Sequence, residues 1–82
     1  MTKLEQKLIE LGYEHCECFR WYYRKDINNE FRITFQLNCE FNQIEEEESF
    51  VEGCVSSREE LDRFNQAFDM FQKDLEVLKN EL

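Results

Sequence analysis

No proline occurs anywhere in the chain, and its two glycines, Gly12 and Gly53, stand alone. There is therefore no glycine-rich loop to cradle a phosphate, and no linker-like segment between folding units. No apolar run is long enough to span a bilayer, and Met1-Thr2-Lys3-Leu4-Glu5 lacks the apolar core of a signal peptide. These absences lead us to expect a single small domain over residues 1–82, cytoplasmic and without membrane contact. Histidine occurs once, at His15. Nucleophilic catalysis would need it beside an activated Ser or Cys, yet on a strand the adjacent Cys16 points to the opposite face. Bases are also scarce. Ten Lys and Arg against nineteen Asp and Glu leave a net charge of −9, which argues against direct nucleic-acid binding because phosphates repel such a surface.

What is present is enough for a core. A hydrophobic fraction of 41% and an aromatic fraction of 15% set the chain apart from disordered polymers, although 35% of its residues are charged. The strongest periodic signal is C-terminal. Leu61, Phe64, Phe68, Phe71, Leu75, Leu78 and Leu82 recur at steps of three and four, so a helix over 57–82 would gather them on one stripe. Ser57-Arg58-Glu59-Glu60 reads as its capping box, with Ser57 as N-cap. Thr2-Lys3-Leu4-Glu5 reads as another, opening a helix over 3–11 that carries Leu4, Leu8 and Leu11. Gly12 suits the left-handed position beyond that helix, with Tyr13 packing back on Leu8.

Between the helices the period changes to two. His15 to Arg24 reads as a strand with Phe19, Trp21 and Tyr23 on its core face. Asp26-Ile27-Asn28-Asn29 is turn-like, and Phe31, Ile33, Phe35 and Leu37 alternate with polar residues as a second strand. A turn near Asn38–Glu40 and a third strand from Ile44 to about Glu48 complete the expectation. It is an α+β fold of order α-β-β-β-α, a three-stranded antiparallel meander with both helices packed on one face.

Few constellations suggest chemistry. His15, Cys16 and Cys18, joined by Cys39 or Cys54, form the only zinc-like set, but Cys16 and Cys18 lack the tight C-x2-C spacing and no second pair exists. Packed, reduced cysteines account for them, and neither a metal site nor a cofactor is expected. The acidic run is the sharper feature. Residues 40–62 hold nine acids against one base, Arg58, so this stretch carries a local net of −8 of the chain's −9. It reads either as a solvated, edge-protecting surface or as a docking face for a basic partner, formed by Glu45, Glu46, Glu47, Glu48 and Glu52. The cluster of Arg20, Trp21, Tyr22, Tyr23, Arg24 and Lys25 reads as a half-buried hairpin.

The opening Leu4-Glu5-Gln6-Lys7-Leu8-Ile9-Glu10-Leu11-Gly12-Tyr13-Glu14, followed by aromatic strands and acids, resembles small proteins of phages and prophages in Gram-positive bacteria. In size, charge and element order the chain is also similar to some anti-CRISPR proteins. These resemblances imply an intracellular role, either host-directed or in phage housekeeping, and they carry no site residues. The sequence thus points to a non-enzymatic acidic interaction protein with a protein partner, a second copy of the chain being one candidate. The alternatives are an acidic nucleic-acid mimic and a small metal-binding protein. Self-association would fall to Leu75, Leu78 and Leu82, because a helix of about 37 Å overhangs a strand of about 23 Å. Those leucines would otherwise pack on Leu4, Leu8 and Leu11.

Overall fold

The computed structural model describes residues 2–17, 21–38, 40 and 42–81. The first helix, α1 (Lys3–Glu10), begins at a complete capping box. Thr2 Oγ1 accepts the Glu5 N–H at 3.1 Å, and the Glu5 carboxylate accepts the Thr2 N–H at 3.3 Å. It ends as expected, in a Schellman motif. Gly12, with φ +96°, donates to the Ile9 carbonyl, and Tyr13 donates to that of Leu8 at 2.9 Å.

Among the described residues five short strands follow: β1 (Glu14–His15), β2 (Tyr22–Ile27), β3 (Phe31–Asn38), β4 (Gln43–Ile44) and β5 (Phe50–Glu52). All pairings are antiparallel. β1 pairs with β2, β2 with β3, and β3 with both β4 and β5. The long helix α2 (Arg58–Lys79) closes the chain. No helix of the described residues is long and apolar enough to cross a membrane.

The α+β class, the antiparallel meander and the two helices on one face match the reading of the sequence. The strand count and boundaries do not. The expected first strand is broken in two: β1 ends at His15 and β2 begins at Tyr22, with the Cys16 N–H donating to the Tyr22 carbonyl at 2.8 Å. Tyr23 keeps its core position, but Trp21 lies in a turn just before β2 and is 36% exposed. Phe19 lies outside the described residues. β2 then runs on through Asp26 and Ile27, and the turn passes to Asn28 and Asn29. Both have positive φ, the pattern of a type I′ turn, and Asn tolerates it.

The third strand starts one residue earlier than expected and is interrupted. Leu37 pairs with Ile44 and Ile33 pairs with Val51, so four steps along β3 answer seven along its partner. The three surplus residues are Glu46–Glu48, thrown out as a 3-10 turn. A continuous strand would have aimed alternate carboxylates at the core, and the bulge sends them to solvent instead. Ser49 pins it, its hydroxyl accepting the Gln36 N–H at 3.1 Å and donating to the Glu45 carbonyl at 2.9 Å.

Phe31, Ile33, Phe35 and Leu37 of β3 form the centre of the core, with Tyr23, Leu4 and Leu8. Phe35 stacks on Phe71 of α2 at 5.1 Å, and Phe31 meets Phe64 edge-on. The helix is rolled relative to the expected stripe. Its buried line is Ala67, Phe71, Asp74 and Leu78, while Phe64 and Leu75 are half-buried. Leu61 and Phe68 are 46% and 39% exposed. Asp74 accounts for the roll, since its carboxylate is held inside the fold.

Candidate functional site

Asp74 Oδ2 accepts the Tyr13 hydroxyl at 2.8 Å and the Lys25 ammonium at 3.0 Å. Lys25 also donates to the Leu11 carbonyl at the end of α1, and its ammonium lies 4.5 Å from the centre of the Tyr13 ring. One buried ion pair therefore ties α2, β2 and the end of α1 together. Burial, then the hydrogen bond and charge of Asp74, push the Tyr13 phenol far above its usual range. Tyr23 adds a second tie, its hydroxyl donating to Glu5 at 2.9 Å. Burial raises the Glu5 carboxyl, but hydrogen bonds from Tyr23 and Thr2 outweigh it and the net shift is downward. Sequence reasoning passed over Asp74, although a signal was there. It sits three residues after Phe71 and four before Leu78, inside the apolar line.

The roll of α2 determines what faces outward. On a 100° wheel, Leu61, Phe68 and Lys79 share one flank, while Asp74 and Arg63 share the other. Lys79 reaches Glu46 at 3.3 Å, and Arg63 reaches Glu30 at 2.8 Å. The flank with Leu61 and Phe68 therefore faces the β4–β5 side of the sheet. Among the described residues, β5 has β3 as its one strand neighbour, so no strand lies along its outer edge. On the sheet face away from the helices, register places Tyr22, Arg24, Arg32, Thr34, Gln36, Phe50 and Glu52.

The acidic candidates separate. Glu45 is half-buried and accepts from the Asn38 amide at 3.0 Å. Glu46, Glu47 and Glu48 project from the 3-10 turn, where three residues per turn fan successive side chains about 120° apart. Glu52 lies at the far end of β5, roughly 13 Å along the strand, and pairs with Arg32 at 3.8 Å. Arg32 is held charged by its closer bond to Asp26 and that residue's charge. Of the leucines proposed for self-association, Leu78 is fully buried in the core cluster and Leu75 packs against it. This is the docking on α1 that the sequence offered as the other choice, with Leu4 and Leu8 in the same cluster. Leu82 lies outside the described residues.

A polar cavity of about 310 Å³ opens beside β1 and β2, lined by Glu14, His15, Arg24, Lys25, Asp26 and Arg32, among others. Its cations are largely committed, Lys25 to Asp74 and Arg32 to Asp26. Cys16 is buried and Cys54 exposed, while Cys18 and Cys39 lie outside the described residues. Among the described residues, no three His, Cys, Asp or Glu side chains come together as metal ligands. No protein-family model, curated protein or solved structure matches the chain.

Proposed function

We propose that the protein is a non-enzymatic interaction module that binds a macromolecular partner through its surface. One observation carries the reading. In a chain this small, eight large hydrophobic side chains of the described residues stand exposed, among them Phe50 of β5 and Leu61 and Phe68 on the α2 flank toward it. Scattered exposure needs no explanation, but apolar side chains gathered at one place on an acidic surface mark a contact site. The resemblance to small phage and prophage proteins agrees with a role aimed at another macromolecule. A nucleic-acid mimic would need carboxylates in ordered rows, and the fanned acids of Glu46–Glu48 do not favour it.

The test is affinity capture on the purified, immobilised protein from a lysate of its source cells. A captured component is then purified and the complex rebuilt from two pure proteins. Co-elution at a fixed stoichiometry supports the reading. If no captured component forms a complex when purified, the reading fails.

A further inference from the structure

We infer that the outer edge of β5 accepts an extended, basic segment of a partner protein as an added strand. This rests on the interaction reading above and names its surface and the chemistry of its partner.

Exposed edges attract other strands because their N–H and C=O groups lack ladder partners, and folds ordinarily blunt them with charge or bulges. Here the blunting is uneven. The bulge at Glu46–Glu48 guards one end of the edge and Glu52 the other. Between them lie Phe50 and Val51, with no charge. Phe50 is 43% exposed on the sheet face away from the helices, while Val51 turns toward the core. Leu61 and Phe68 stand on the α2 flank that faces this side of the sheet. A strand laid against β5 would thus find apolar surface on both of its faces: Phe50 on one, Leu61 and Phe68 on the other. Main-chain bonding would give it affinity, and alternate side chains would give it specificity.

Charge selects the partner. Glu47 and Glu48 make no ion pair among the described residues, and the whole chain carries −9. A second copy would bring the same acids against themselves. A segment with Lys or Arg flanking a few apolar residues meets complementary charge at both ends of the edge.

The experiment selects dodecapeptides from a random phage-displayed library on the intact protein, then synthesises those that enrich. The inference expects peptides with alternating apolar residues and flanking Lys or Arg. Amides of residues 50–52 should exchange more slowly when such a peptide is bound. Phe68→Lys should weaken binding about tenfold or more, as a charge set into an apolar contact costs at least 1.4 kcal/mol. Phe68 is 39% exposed but its ring lies 5.8 Å from that of Phe71, so binding is read on variant protein shown to be folded by its melting transition; Phe50→Lys, on the other face of the sheet, serves as a second block. Replacing Glu46–Glu48 with Gln should remove most of the salt dependence. The inference is overturned if no such peptide enriches, if enriched peptides bind both Lys variants as tightly as wild type, or if sedimentation shows a dimer that Phe50→Lys dissociates. A captured protein partner that rebinds without protecting residues 50–52 would overturn this surface while leaving the interaction reading intact.

Discussion

Asp74 is the residue on which the geometry turns. Its side chain is 11% exposed and that of its partner Lys25 is 18% exposed, so their attraction is poorly screened by water. Removing one partner leaves the other buried without compensation, which costs about 3–5 kcal/mol in well-buried pairs. Asp74→Ala should therefore lower the unfolding free energy by about that much in urea titration. Lys25→Met/Asp74→Leu should recover a good part of it, because a neutral pair leaves no buried charge. Tyr13 adds a pH signature. Its phenol stays protonated in the fold but ionises near pH 10 in the unfolded chain. That contribution to stability is complete below about pH 10 and is lost as the pH climbs beyond it. Unfolding followed from pH 8 to 11 should show stability declining above pH 10 in wild type, with a shallower decline in Tyr13→Phe.

At the level of elements, both helix starts and the Schellman end of α1 could be read from the sequence, because they depend on near neighbours such as Thr2 with Glu5 and Gly12 with Tyr13. The alternation in β3 was equally legible, since a strand with one face in the core and the other more polar shows period two. The broken strands were not. Whether Glu46–Glu48 continue β4 or leave it depends on what lies across from them, and Ser49 bonding to Gln36 is a contact between distant parts of the chain. The roll of α2 escaped for the same reason, because an isolated apolar count ranks Leu61 above Asp74. In the sequence Gly53 was no more than an isolated glycine, and the structure gives it a stricter duty. Its φ is +152°, and an added Cβ would collide with the Phe31 ring and approach the Glu30 carbonyl to 2.8 Å. Gly53→Ala should cost more than about 1 kcal/mol, and a chemical denaturation midpoint shifted down at unchanged slope would show it. Ser49→Ala should cost about 1 kcal/mol by freeing the Gln36 N–H, detectable as faster exchange of that amide.

At the scale of the molecule, the core is built on one sheet face and two helices, and the other face is only partly exposed, Thr34 being buried there while Phe50 and Glu52 reach solvent. The acidic surplus was plain in the sequence, but its division was not. Of the five acids taken as a docking face, Glu45 is engaged by Asn38, Glu46 by Lys79 and Glu52 by Arg32, which leaves Glu47 and Glu48 without an ion pair among the described residues. Of the leucines expected either to pack on α1 or to self-associate, Leu75 and Leu78 are drawn inward, Leu82 lies outside the described residues, and the aromatic Phe68 stands at the surface. The measurement closest to the central claim is a calorimetric titration of the captured, purified partner into wild type and into a Phe50→Lys/Phe68→Lys double variant, at low and high salt. The account predicts stoichiometric binding to wild type that weakens as salt rises, and no binding to a double variant that melts like wild type. Equal affinity for the two proteins would contradict it.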